Sequence, residues 1–366
     1  MTKVAVYAIA KNESFHVDRW YSSVKDADGI FVLDTGSEDN TVQMLEAQDE
    51  GCPIEVFRAS FDPFRFDIAR NFVLNQIPSD FDYVMFMDLD EVVEPGWKQA
   101  IIDMVEEDPS ITAINTRMVF DVNPDGSPGT TYNRLMVTRN GMYRWVYPVH
   151  EVLDAKNGVP VNETFSDIRV RHLPDPNKSR SDYLNLLYIA AQERPTDPRC
   201  AQYLAKELAG RGRTAEALAE FRRHLTLENN TWFRCETMRM MAYCHEADGD
   251  TLEARNLHTA ACAEAPELRE PWGDAAAFYM RVERYHSALG CVESMMDVTE
   301  PPQHTIIRND AYYGAWPHHV AAVCYHRLGD TASAQRHIRI AASLSPNDVS
   351  ILTDMVTICD IPVEEK

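Results

Sequence analysis

Apolar positions in the first ninety residues come in short runs. VAVYAIA (4–10), GIFVLDTGS (29–37), IEVFRA (54–59) and YVMFMDLDE (83–91) are rich in β-branched and aromatic side chains, and helix-like segments separate them. Short β-rich runs alternating with helices predict βαβ units and a mostly parallel sheet, an α/β fold. In open sheets of this kind ligands gather beyond the carboxyl ends of the strands. The polar residues cluster there, with Lys11-Asn12-Glu13 after the first run, Asp34 after the second, and Asp88 and Asp90 after the fourth. From 111 to 172 the pattern stays strand-like but loses regularity, with turn-rich NPDGSPGTTYN (123–133) followed by MYRWVYPVHEVL (142–153).

After Pro174 strand patterns stop, and helical runs of Ala, Leu, Met and Tyr take over. The boundary is expected in LPDPNKSRSD (173–182), dividing the chain into domains 1–175 and 176–366. The helical half repeats. Ala217, Ala254, Ala288 and Ala334 each fall in the expected second helix of a hairpin, after turns ending RGRT, DGDT, VERY and LGDT. Their spacings of about 37, 34 and 46 residues bracket the roughly 34-residue tetratricopeptide period, the longest admitting an insertion around PPQHTIIRNDAYY (301–313). Gly212, Gly249 and Gly329 sit in three of the turns, and Pro266 and Pro346 lie where a helix stop belongs. Such hairpins stack because none buries its apolar face alone, and their usual use is a docking surface or a dimer contact.

Length and composition agree with two folded domains: 366 residues, 45% hydrophobic and 25% charged. No stretch approaches the roughly 20 apolar residues of a membrane span. The opening MTKVAVYAIAKNE breaks at Lys11 and is too short for a signal peptide, so a cytoplasmic setting is expected. Eight cysteines occur without a CxxC pair, and Cys200, Cys235, Cys244, Cys262 and Cys324 sit in apolar helical patterns as small hydrophobes. A formal charge of −22 disfavours nucleic acid and anionic membranes, although a local basic strip stays compatible with it.

The chemistry concentrates in FMDLDE, an apolar strand ending in two carboxylates one residue apart. Alternation along a strand points Asp88 and Asp90 the same way while Leu89 returns to the core. Hard oxygen ligands suit Mg²⁺ or Mn²⁺. Acidic residues also cap strand ends without a metal. In FRFDIARN, Asp67, Arg70 and Asn71 lie on adjacent turns of a short helix with Ile68 and Phe72 free for the core, and the plain alternative for the charges is an Asp67–Arg70 pair within the helix. Asp39 and Thr41 start a helix, where Asp39 serves as a cap.

YAIAKNE, DTGSEDNT, FRFDIARN, DLDE and YPVHEVL occur in the order and approximate spacing of the inverting family-two glycosyltransferases with the GT-A fold, which residues 3 to 175 resemble. The helical tail resembles that of members carrying tetratricopeptide repeats. The resemblance implies a nucleotide-sugar donor, most often a UDP-sugar, met by Ala8, Asn12 and Glu13 of the first motif and by Asp34. It places Asp67, Arg70, Leu89 and Arg134 on the donor too, with Arg134 near the leaving phosphate. Asp88 and Asp90 would hold Mn²⁺ or Mg²⁺, and His172 resembles the histidine that trails the HE motif and completes the metal shell or touches the diphosphate. Inverting transfer needs a base for the acceptor proton, and Glu151 is the candidate. On a strand His150 and Glu151 would point opposite ways, so one of them faces the acceptor; His150 is the alternative base, a supporting residue or a core histidine.

Two features depart from the family: Leu89 replaces a small residue, and the segment before Arg134 is short and rich in Pro and Gly. The expected protein is a metal-dependent inverting transferase with an unidentified acceptor, bound partly by the repeats, and a homodimer through them is compatible with the array. Two rivals are a nucleotidyltransferase, which ordinarily needs a glycine-rich basic loop where AIAKNE stands, and a non-enzymatic scaffold with a decayed nucleotide domain.

Overall fold

Each apolar run becomes a strand, and the sequence of elements is β1 (Val4–Ala10), α1 (Val17–Val24), β2 (Gly29–Asp34), α2 (Thr41–Glu46), β3 (Ile54–Arg58), α3 (Phe66–Leu74), β4 (Tyr83–Phe86), β5 (Glu91–Val93), α4 (Trp97–Glu107), β6 (Ala113–Val119), β7 (Thr131–Arg139), β8 (Tyr143–Val146), β9 (Val152–Ala155) and β10 (Glu163–His172). The computed structural model describes residues 2–48, 51–120, 131–175, 183–299 and 309–361. The expected turn NPDGSPGT, most of the expected boundary (PNKSRSD) and most of the insertion (PPQHTIIR) lie outside them. The chain divides into two compact units, Met1–Ala190 and Ala191–Lys366.

The first unit is an eight-stranded sheet ordered β3-β2-β1-β4-β7-β6-β10-β5, with β8 and β9 forming a separate antiparallel hairpin. β3-β2-β1-β4 and β6-β10 pair in parallel, while β7 runs antiparallel to both its neighbours. Helices cover β1 on both faces, so its side chains are buried whichever way they point. Val4, Val6 and Ala8 pack with Trp20, Leu45 and Ile101 of α1, α2 and α4. Ala5 and Tyr7 pack on the opposite face with Ala69 and Val73 of α3 and with Trp145 of the hairpin. Two-sided burial is why the sequence shows continuous apolar runs instead of alternation. Each fully buried large side chain, such as Trp20, contributes on the order of 2 kcal/mol.

β4 stops at Phe86, two residues before Asp88, because the chain turns there and re-enters the sheet as β5. Asp88 and Asp90 are thus brought together by a turn, not by strand alternation, while Leu89 does return to the core at 2% exposure. In α3 the buried face is Asp67, Ala69, Arg70, Val73 and Leu74. Ile68, expected in the core, is 43% exposed because the polar Asp67 and Arg70 take the inward positions.

At the start of α2, the Asp39 carboxylate accepts the Thr41 hydroxyl, the Thr41 N–H (3.0 Å) and the Ser14 N–H (3.2 Å). Burial opposes its ionised form, but these bonds win and draw its pKa down to about 2 from 3.8. Depressed on folding, the group stabilises the fold above its unfolded pKa of 3.8, and that contribution is lost as pH falls toward about 2. Asp39→Ala therefore costs about 1 kcal/mol at neutral pH, with the difference from wild type shrinking below pH 3.8, as urea unfolding at two pH values will show.

The second unit is a run of helical hairpins. After α5 (Leu184–Glu193), which crosses the division between the units, come α6 (Pro198–Gly210), α7 (Thr214–Leu227), α8 (Thr231–Ala247), α9 (Thr251–Glu264), α10 (Arg269–Arg281), α11 (Tyr285–Asp297), α12 (Trp316–Arg327), α13 (Thr331–Leu344) and α14 (Val349–Ile358). α6 packs on α7, α8 on α9, α10 on α11 and α12 on α13. Ala217, Ala254, Ala288 and Ala334 lie in the second helix of successive hairpins, each with no exposed surface, so only a small side chain fits. Gly212, Gly249 and Gly329 turn between helices at φ of +70°, +78° and +83°, and Glu283 takes the same place at +56°. The five cysteines read as small hydrophobes are buried, and burial pushes the Cys235 thiol up to about 12. No helix among the described residues is long and apolar enough to cross a membrane.

Candidate active site

β1, β2 and β4 are neighbours, so the loops leaving their carboxyl ends meet at one edge of the sheet. The first two loops are tied together. Asn12, at φ +55°, donates its N–H to Ser37 Oγ and accepts the Glu38 N–H through Oδ1, both at 2.8 Å. The Glu13 N–H reaches Thr41 Oγ1 at 2.7 Å. The nearly buried Asp34 carboxylate accepts the N–H groups of Gly36 and Ser37 at 3.1 Å each, which fixes the turn that follows β2. Ala8 and Leu89 have buried side chains in the hydrophobic core, which leaves only their backbone to offer a ligand.

Asp88, Asp90 and Glu91 each present an oxygen within 4.8 Å of the others, a group able to hold a cation. Glu91 opens β5 and has no role in the sequence reading; its only signal is the last letter of DLDE. It is 2% exposed, accepts Arg134 Nη1 at 2.5 Å and the Asp88 N–H at 3.0 Å. Burial pushes its carboxyl up to about 7; Arg134 opposes the shift, and the charges of Asp88 and Asp90 add to it. Burial also disfavours ionised Asp90, but the hydrogen bond and charge of His172 overcome it and hold its pKa below the ordinary value. His172 Nε2 lies 3.3 Å from Asp90 Oδ2, and its ring stacks on Phe120 with centroids 4.9 Å apart. Phe120 is a second residue that the motifs did not reveal.

Arg70 links this cluster to the HE motif. Its guanidinium grips Asp88 at 3.0 and 3.3 Å, donates from Nε to Glu151 Oε1 at 2.6 Å, and lies 3.9 Å from the centroid of the Phe86 ring. Buried guanidinium paired with two carboxylates stays charged, and its pKa is raised despite burial. The plain alternative, an Asp67–Arg70 pair within the helix, does not form: Asp67 instead accepts Arg65 Nε and Nη2 at 3.0 and 2.9 Å. Asn71, one position on, clamps the hairpin by exchanging bonds with the Trp145 backbone at 2.8 and 2.9 Å.

His150 and Glu151 lie in the loop between β8 and β9, not on a strand. They diverge all the same. His150, at φ +52°, is exposed with its ring 6.4 Å from that of Tyr183, while Glu151 turns inward onto Arg70 with its side chain 11% exposed. Glu151 Oε2 takes no hydrogen bond among the described residues.

Four carboxylates (Asp88, Asp90, Glu91 and Glu151) thus face two guanidiniums, Arg70 and Arg134. The surplus of hard, anionic oxygen fits a divalent ion of the Mg²⁺ or Mn²⁺ kind. Cutting out Arg70 would leave the largely buried Glu151 without a counter-charge and Asp88 with only Arg134, 3.8 Å away. Arg70→Met is expected to destabilise the fold by about 3–5 kcal/mol, read from urea denaturation; a loss below about 1 kcal/mol would show the pairs to be incidental.

A domain with a mostly parallel sheet and an acidic cluster at its ligand edge, followed by tetratricopeptide-like hairpins, has the build of a GT-A glycosyltransferase with a repeat tail. Residues 6–155 match the family model described as Glycosyl transferase family 2. The match supports a glycosyltransferase-like function and implies a nucleotide-sugar donor. No curated protein matches the chain. Among solved structures, it is similar to MamA from Desulfovibrio magneticus RS-1, at 15% identity over 44% of this chain and 82% of that one, with a TM-score of 0.37. It is also similar to a tetratricopeptide repeat protein from Parabacteroides merdae, at 16% identity over 48% and 66% of the two chains, with a TM-score of 0.38.

Proposed function

We propose that this chain is a metal-dependent inverting glycosyltransferase that moves a sugar from a UDP-sugar to an acceptor hydroxyl. The observation that carries the reading is the convergence of Asp88, Asp90 and Glu91 within 4.8 Å, joined through Arg70 to Glu151. Asp88 and Asp90 would hold Mn²⁺ or Mg²⁺, with His172 beside Asp90; bound there, the ion supplies positive charge to the donor diphosphate. Arg70 and Arg134 add fixed positive charge to the departing diphosphate. Asp34 and Asp67 receive the base and ribose, next to Asn12 and Glu13. Glu151 accepts the acceptor's proton through Oε2 as the hydroxyl attacks in line, so a single displacement suffices and no covalent enzyme intermediate forms.

Every residue in these roles belongs to the first unit, Met1–Ala190. The helical repeats are assigned a part of acceptor docking, with the domain division near residue 176. The test is a screen of nucleotide sugars against the purified chain with Mn²⁺ or with EDTA, read as nucleotide release. UDP release that requires the metal is expected, and a fragment ending at Ala190 keeps it while its transfer to the acceptor is lowered. Absence of release from every nucleotide sugar by the full chain would remove the transferase reading.

A further inference from the structure

Apart from the acidic cluster, the first unit carries a groove of about 510 Å³ floored by β7, β6 and β10, a size that takes a small ligand. Its floor is basic although the chain as a whole has 35 Lys and Arg against 57 Asp and Glu. Strand pairing sets Asn133, Arg117 and Arg169 side by side across the three strands, and the next row is Thr131, Val119 and Arg171. All three arginines are exposed. Like charges on neighbouring strands weaken a sheet, so this row costs stability where it stands. Arg117 reaches the Thr131 hydroxyl at 2.5 Å, while Arg169 and Arg171 make no side-chain hydrogen bond or ion pair among the described residues. Asp167 is the one acidic residue among the described lining residues, and it leaves the floor net positive.

Two other features narrow the ligand. The Phe165 ring is 57% exposed at the groove and offers an apolar platform beside the arginines. Along β10, Arg169 is about 10 Å of strand from His172, whose Nε2 lies 3.3 Å from Asp90, and strand alternation sends the two side chains to opposite faces. Guanidinium groups bind carboxylate and phosphate in two-pronged fashion, whereas the chain's net charge of −22 works against a long polyanion.

We propose that this groove binds the acceptor and that the acceptor is an anionic saccharide. Arg117 and Arg169 hold its carboxylate or phosphate, Asn133 and Thr131 meet its hydroxyls, and Phe165 carries one face of a sugar ring. The role as acceptor rests on the transferase reading; the anionic-saccharide site stands on the groove alone. Calorimetry on the full chain with tetragalacturonate, mannose 6-phosphate and neutral maltotetraose separates the possibilities. At least one acidic probe binds, and which one distinguishes carboxylate from phosphate; maltotetraose binds at least about tenfold more weakly, and Arg117→Gln and Arg169→Gln each weaken the acidic probe by about tenfold. Arg211→Gln, an exposed arginine in the helical unit, leaves it unchanged.

Binding of neither acidic probe, equal binding of maltotetraose, unaltered affinity in both groove variants, or tighter binding of a single-stranded oligonucleotide overturns the proposal. UDP with Mn²⁺ is titrated into the same samples. Arginine-dependent binding of the acidic probe without UDP binding keeps the site and removes its role as acceptor subsite.

Discussion

Glu151→Gln lowers sugar transfer by about 10²- to 10⁴-fold while donor and metal remain in place. The amide keeps an oxygen to accept Arg70 Nε, now bonded at 2.6 Å, so the loop and Arg70 hold their positions and only the proton acceptor is lost. His150→Ala is the comparison, because His150 is exposed and does not pair with Arg70. Transfer rate and UDP affinity measured side by side separate the two. A normal rate in Glu151→Gln together with a dead His150→Ala reverses the assignment within the pair.

The second large effect is on the cation. Asp88→Asn and Asp90→Asn each remove a charged oxygen from the cluster, and the loss in Mn²⁺ affinity should reach at least the roughly 100-fold seen for weaker perturbations of metal sites. The two variants differ in what else they disturb. Asp88 is gripped by both ends of Arg70, so its change also loosens the link to Glu151, whereas Asp90 touches His172. Electron paramagnetic resonance of free Mn²⁺ reads both affinities; Asp90→Asn should lose metal without a change in melting temperature, and Asp88→Asn should lose metal and some stability. Wild-type affinity in both variants would remove the cluster as the metal site.

Much of this was legible in the sequence because it is local. The runs at 4–10, 29–34, 54–58 and 83–86 are strands, and four alanines mark the second helices of four hairpins, since side-chain volume at a tight contact repeats with the structure. What local pattern could not show shares a cause. Helix spacing gave Asp67 as the plain alternative partner of Arg70, three residues away, but the partners of Arg70 lie 18 and 81 residues along the chain. Arg65 supplied the local bond to Asp67. Ile68 looked like core because it is apolar, but the inward positions went to polar groups that the site needs. Glu91 stayed hidden because its importance comes from burial beside Arg134, 43 residues away.

The most direct test of the account is a calorimetric titration of UDP into the full chain in Mn²⁺, in EDTA, and in Mn²⁺ with Asp90→Asn. The account predicts binding in the first case and its loss in the other two, because the diphosphate is held through a cation that Asp90 helps to ligate. Equal affinity in all three would contradict it.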